Sequence, residues 1–168
     1  MRKAQKKWED PPLHATQRES TALLRALGSA MTEALSAALN DTYAAILLEK
    51  PLPAVSRLFS ALARAECQHY CALSALLRDL GACHAPRISH TTTPYRLNGD
   101  ADDSSACTVA HRMLQERAAQ EQRAITHYKH LQQAATTECV RARLTELAKE
   151  KEEHLSALSG MEKRLALS

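Results

Sequence analysis

Two histidines, each preceded three positions earlier by a charged residue, are the side chains of this sequence best placed to do chemistry. One stands in Glu66-Cys67-Gln68-His69 and the other in Lys151-Glu152-Glu153-His154. Positions three apart project from one face of a helix, so Glu66 and His69 can reach a single metal ion. A carboxylate with an imidazole is a borderline donor set that suits non-haem iron or manganese. In the second segment the histidine is kept and Lys151 takes the place of the glutamate. A charged lysine has three donors and no lone pair, so it cannot ligate in that state. A further carboxylate comes from Glu121, seven residues before Tyr128; the residue seven before Tyr43 is Ser36. Glu33, three before Ser36, and Glu150, four before His154, lie near the inward face and are the candidate substitutes.

Other reactive side chains have plainer roles. His127 and His130 flank Tyr128 and read as surface or rim histidines. Tyr43 and Tyr128 read as core residues whose hydroxyls bond the inner carboxylates. The five cysteines (67, 71, 83, 107 and 139) are odd in number and contain no CxxC pair, so they read as reduced thiols. His84 and His90 fall near Cys83 in the long loop, where a loop metal site is the minor reading. The chain carries no Gly-rich phosphate loop and no nucleophile elbow.

The elements that must position these residues are helices. The apolar residues are mostly Ala and Leu, aromatics make up 4% and there are only four glycines. Ala and Leu cost least in a helix, and a sheet would lack its usual β-branched and aromatic residues. Leu23, Leu27, Met31, Leu35, Leu39, Tyr43 and Ile46 recur at steps of three and four and predict a first helix over 17–49, with Thr16 and Glu19 spaced as a capping box. Pro51 and Pro53 break it. A second helix follows over 53–80, and Gly81 supplies its stop. Residues 82–103, with two prolines, three consecutive threonines and Asn98-Gly99-Asp100, predict a long loop. Asp102, Asp103 and Ser104 offer caps for a third helix over 105–134. Thr136 or Thr137 caps a fourth over 137–165. Short turns make helices 1 and 2, and helices 3 and 4, antiparallel hairpins. A long crossover loop between two hairpins is the connection of an all-α, ferritin-like four-helix bundle.

The two hairpins also resemble each other in sequence at an offset of 85 residues. Nine identities fall between positions 34 and 74, among them Tyr43 with Tyr128, Val55 with Val140, Leu62 with Leu147 and His69 with His154. About three would arise by chance from this composition. A duplicated hairpin implies a pseudo-two-fold axis, with the site built from matching positions of both halves.

The phrases LFSALARAECQHYCALSALLRDLG, EQRAITHY and LTELAKEKEEHLSALSGM resemble the rubrerythrin-like branch of the ferritin-like superfamily, over roughly residues 30–80 and 110–160. That resemblance implies a di-metal carboxylate site, with a Glu on each of two helices and a Glu-x-x-His on each of the other two. Glu66, His69, Glu121 and His154 match the pattern, whereas Ser36 and Lys151 depart from it. The resemblance further implies iron or manganese, oxygen or peroxide reduction or iron handling, and a homodimer. It names no electron donor, and no rubredoxin-like cysteine module is present. The alternative is a metal-free bundle with a scaffolding or protein-interaction role, in which Lys151 sits between Glu66 and Glu121 and replaces the metal charge with an ammonium.

The net charge of +3 is too small to argue for nucleic acid; Arg2, Lys3, Lys6 and Lys7 of a basic, disordered leader (1–15) supply much of it. No apolar run reaches a membrane span, and the first twenty residues lack the apolar stretch of a secretory signal. Residues 16–168 therefore read as one cytoplasmic bundle domain.

Overall fold

Ala- and Leu-rich periodicity produces four helices in the computed structural model, which describes residues 19–82 and 103–167. The helices are α1 (Thr21–Leu48), α2 (Pro53–Asp79), α3 (Asp103–Ala134) and α4 (Glu138–Leu165), with no strand among the described residues. The protein is an all-α four-helix bundle. The basic leader and residues 83–102 of the expected crossover loop lie outside the described residues. None of the described helices is long and apolar enough to cross a membrane.

Local chemistry sets the helix ends. Ser20 is the N-cap of α1, and its hydroxyl accepts from the Leu23 N–H at 3.1 Å. Pro53 opens α2 at its first turn, where a missing N–H costs nothing. The Ser56 hydroxyl donates to the Ala45 carbonyl at 2.7 Å and ties the start of α2 to the end of α1. α2 stops as expected at Gly81, which takes φ +71°. The Gly81 N–H donates to the Arg78 carbonyl and the Ala82 N–H to the Leu77 carbonyl, both at 2.9 Å, the double bond of a Schellman cap. Asp103, expected as a cap of α3, is its first residue.

Glu19 does not close a capping box on its own helix. Its carboxylate reaches the other hairpin and accepts the Thr137 N–H at 2.7 Å and the Thr136 N–H at 3.0 and 3.2 Å. Thr137 holds the N-cap position of α4 without a side-chain cap bond. A residue distant in sequence thus satisfies the donors at the entry to α4. The negative charge also lies at the positive end of the helix dipole.

The core is divided along the bundle. One apolar cluster joins Leu23, Leu27 and Met31 of α1, Leu73 and Leu77 of α2, Tyr128 and Leu131 of α3, and Val140, Leu144 and Leu147 of α4. The other joins Ala44 and Leu48 of α1, Val55, Phe59 and Leu62 of α2, Ala110 and Leu114 of α3, and Leu158 of α4. The start of α1 therefore lies with the end of α3, and the end of α2 with the start of α4. α2 ends at one end of the bundle and α3 begins at the other.

Burial also tests the internal repeat. Val55, Phe59, Leu62, Glu66 and Leu73 of α2 are buried, as are Val140, Leu144, Leu147, Lys151 and Leu158 of α4, in register with the 85-residue offset. α1 and α3 are two residues out of step with it. Ala110, Leu114, Arg117, Glu121, Tyr128 and Leu131 occupy the buried places that Leu27, Met31, Ala34, Ala38, Ala45 and Leu48 hold in α1. Tyr43 is consequently not the counterpart of Tyr128. It is 43% exposed where Tyr128 is buried, which corrects its expected core role.

Burial pushes the Glu19 carboxyl up, but hydrogen bonds from Thr137 and Thr136 outweigh this and hold it below the ordinary value of 4.5. Its stabilising contribution is therefore present above that value and lost as pH falls through the folded-state pKa. Glu19→Gln should lower unfolding stability by about 1 kcal/mol at pH 7. In urea titrations, the gap between wild type and variant should close as the pH is taken well below 4.5.

Candidate functional site: a buried layer of charge

Between the two apolar clusters lies a layer in which all four helices contribute charged or polar side chains. Asp41 comes from α1, Glu66 and His69 from α2, Arg117 and Glu121 from α3, and Lys151 from α4, all buried. His154 borders the layer at 17% exposure, and Glu150 is half-exposed at the rim. Carboxylates at this depth must be paired, coordinated or protonated.

Arg117 does most of the pairing. Its Nε donates to both oxygens of Asp41, at 2.9 and 3.0 Å. Its Nη2 lies 2.5 Å from Glu66 Oε1 and 2.7 Å from Glu121 Oε1. One guanidinium thus joins carboxylates from three helices, which its planar fork of donors allows. Lys151 Nζ donates to Glu66 Oε1 and lies 3.2 Å from Glu121 Oε2. The lysine therefore stands between Glu66 and Glu121, where the charge-replacement alternative puts it.

A set of lone pairs remains on the histidine side. Glu66 Oε2, both Glu121 oxygens, His69 Nδ1 and His154 Nδ1 are buried without a hydrogen bond. Glu121 sits at ion-pair distance from Arg117 and Lys151 but off the hydrogen-bond direction. His69 Nδ1 faces Glu66 Oε2 at 3.4 Å, and His154 Nδ1 faces Glu121 Oε1 at 3.4 Å. The two rings stack with centroids 5.5 Å apart. His69 Nε2 and Glu150 Oε2 are 2.7 Å apart, and that contact leaves Nδ1 turned inward.

Of the four residues expected as ligands, Glu66, Glu121 and His154 bring one ligand atom each to within 4.8 Å of one another. His69 adjoins this group through Glu66. Glu150, a candidate substitute, reaches the site only through His69. Glu33, the other, is exposed, with the Ser29 hydroxyl 3.5 Å from its carboxylate. Ser36 donates its hydroxyl to the Thr32 carbonyl of its own helix at 3.0 Å. Tyr128 is buried, and burial followed by the charges of Glu66, Glu33, Glu121 and Glu150 raises its pKa and keeps the hydroxyl protonated.

The residues present do not fit two ions. Lys151 removes one carboxylate bridge, Ala38 stands in α1 at the place Glu121 holds in α3, and the Arg117 guanidinium adds charge that two divalent ions would have to face. They do fit one. Three buried carboxylates (Asp41, Glu66, Glu121) face two buried cations (Arg117, Lys151), leaving one negative charge, and Glu150 adds a screened second at the rim. A divalent cation, or protons on the two histidines, would restore neutrality.

Asp41 and Arg117 were not among the expected site residues. Asp41 left a signal, since it is the one ionised side chain between Ala34 and Leu48. Arg117 left less, being one of several charges on α3, although it precedes Glu121 by one helical turn. Burial acts on Glu66 too, but contact with His69, Lys151 and Arg117 overcomes it and lowers the carboxyl well below its ordinary value. For Asp41 burial prevails over Arg117, with Glu66 and Glu121 adding to it, and the carboxyl is raised from 3.8 to about 6.

Removing Arg117 would leave three buried carboxylates short of a partner. Arg117→Ala should cost about 3–5 kcal/mol in chemical denaturation. Because the folded pKa of Asp41 is raised, its contribution is greatest below pH 3.8 and falls as pH rises through about 6. In EDTA, the stability of wild type relative to Asp41→Asn should therefore increase as pH is lowered from 7 to 4, and a flat difference would contradict the assignment. Among the described residues, the free thiols Cys67, Cys71 and Cys139 are exposed, Cys107 is half-buried, and none of these belongs to the layer. No model of a known protein family matches this chain, and no curated protein matches it.

Proposed function

We propose that this bundle is a metal-binding protein holding a single divalent transition-metal ion between Glu66, Glu121 and His154, with His69 beside them. The observation that carries this reading is the set of buried lone pairs on those residues that make no hydrogen bond. Leaving such atoms buried and unbonded costs free energy, and an ion removes the cost for several at once. The donors suit iron or manganese, as the resemblance to ferritin-like and rubrerythrin-like proteins implies. A bound redox-active ion would supply one-electron chemistry toward oxygen or peroxide, or a holding site for iron.

The chain's own residues do the rest. Arg117 and Lys151 fix the ligating carboxylates and supply the positive charge of a second ion. Glu150 orients His69 by binding Nε2, the outer contact that sets which nitrogen faces inward. The apolar clusters above and below keep bulk water from the layer. His154 and Glu150, at its exposed edge, mark the way in. The free thiols suit work in the reducing cytoplasm.

The contact of Lys151 with Glu66 favours a second reading, a metal-free bundle serving as a scaffold. The two readings part on stoichiometry. Chelator-stripped protein titrated with Co(II), Mn(II) or Fe(II) should take up about one ion per chain, with ligand-field absorption in the Co(II) form. His154→Ala or Glu121→Gln should weaken uptake tenfold or more. Binding below ~0.1 ion per chain for all three metals would leave the scaffold reading.

A further inference from the structure

Two cysteines of α2 do not take the packing role that their type favours. Cysteine is among the residues most often buried, yet Cys67 and Cys71 are both exposed and both carry free thiols. They stand one turn apart in the unbroken helix Pro53–Asp79, so they share one outward face. Between Ala54 and Arg78 the other exposed residues are Arg57, Ala61, Arg64 and Gln68. Glu66, the one carboxylate of the helix before Asp79, is buried in the charged layer. Among the described residues, neither cysteine belongs to a cluster of three possible metal ligands. A hard cation therefore finds no carboxylate on this face, and zinc lacks the four protein ligands of a structural site. What the face offers is a pair of sulfurs.

We propose that Cys67 and Cys71 form a surface site for a soft, two-coordinate metal ion of the copper(I) class, separate from the charged layer. The helix decides between the two things that a pair of thiols can do. Cβ atoms one turn apart on a helix are about 5–6 Å from each other. A disulfide needs about 3.5–4.5 Å, so closing one would unwind α2 where it carries Glu66 and His69. Two sulfurs on one ion stand farther apart than two sulfurs bonded together. With a metal–sulfur bond of about 2.3 Å, the separation reaches about 4.6 Å. Rotation about χ1 covers the remaining difference without moving the backbone. Thiolate is also the ligand type that selects copper(I). Binding replaces two S–H bonds with two metal–sulfur bonds and releases two protons, and no electron is transferred. A monovalent ion on two thiolates leaves one negative charge, and Arg64, one turn before Cys67 and exposed with it, offsets that charge.

Anaerobic titration of the full, reduced chain with Cu(I) held by bicinchoninate tests this, read as loss of the coloured chelate. The wild type should withdraw about one Cu(I) per chain. Alkylation followed by peptide mass mapping should find Cys67 and Cys71 protected by the ion. Cys67→Ser and Cys71→Ser should each lower the affinity by roughly a hundredfold or more, because the second bond is then no longer intramolecular. Cys71→Ala combined with Ala72→Cys keeps the number of thiols but turns one away from the face, and it should lose uptake equally. Cys107→Ser and Cys139→Ser should leave uptake in place. So should Glu121→Gln, which impairs only the buried layer, so the two sites fail independently. Circular dichroism should stay helical in every variant. Failure to withdraw Cu(I), or uptake indifferent to Cys67→Ser and Cys71→Ser, would overturn the inference. A Cys67–Cys71 disulfide formed under mild oxidation with helicity unchanged would also overturn it, since the spacing argument excludes that bond.

Discussion

Compensation of Glu66 and Glu121, side by side and out of water in the middle of a helical bundle, is the constraint on which the rest of this structure depends. Two such groups cannot both ionise at that depth unless positive charge lies within a few ångströms. The chain supplies it from two directions, Arg117 from α3 and Lys151 from α4. Each cation touches carboxylates from more than one helix, so the layer also fixes how the hairpins meet. The tertiary contacts agree with that division: each hairpin packs extensively within itself, while between hairpins α1 meets α3 and α2 meets α4 far more sparingly. A buried guanidinium joining Asp41, Glu66 and Glu121 constrains the relative register of α1, α2 and α3.

A buried ion network is weak evidence for net stability, because desolvation offsets much of the Coulomb gain. Its value here lies in specificity. The two apolar clusters are built mostly from Ala and Leu, residues that would tolerate a slip of one helix along another. A slip would leave Arg117 or Lys151 without its carboxylates, and that penalty is several kcal/mol. The charged layer thus acts as a register pin between two permissive packing zones, a role attested for buried polar groups in other helical assemblies. Glu19 serves the same end differently, joining the start of α1 to the start of α4 through the Thr136 and Thr137 amides.

How much of this was legible in the sequence follows from the physics of each feature. The helices were legible because Leu and Ala periodicity is long and punctuated by Pro51, Pro53 and Gly81, each with a fixed backbone consequence. Boundaries fell within a few residues, apart from the start of α1, where a plausible capping box at Thr16 and Glu19 outranked the actual cap at Ser20. Half of the site was legible, because α2 and α4 keep the 85-residue register and so align Glu66 with Lys151 and His69 with His154. The other half was hidden by a slip of two residues between α1 and α3. The chance identity of Tyr43 and Tyr128 concealed it and directed attention to Ser36 and Glu33. Asp41, which enters the layer from α1, matched no pattern sought. Its distinguishing mark was contrast, a single acid in an otherwise uncharged run.

The same contrast bears on what a metal could do here. In a site with two ions, the ions themselves provide the countercharge and the folded layer depends on them. In this chain two countercharges are covalently attached, so the layer can form before any ion arrives. What the ion then meets is the remaining part of the site: lone pairs of Glu66, Glu121 and His154 that neither Arg117 nor Lys151 satisfies, and a charge deficit that one divalent cation or two protons can fill. Metal and protons compete for that deficit, because histidine ligates only when neutral. The fixed cations oppose any second ion. On the proposed reading Lys151 sets the stoichiometry, because a charged lysine has no lone pair to offer a second ion.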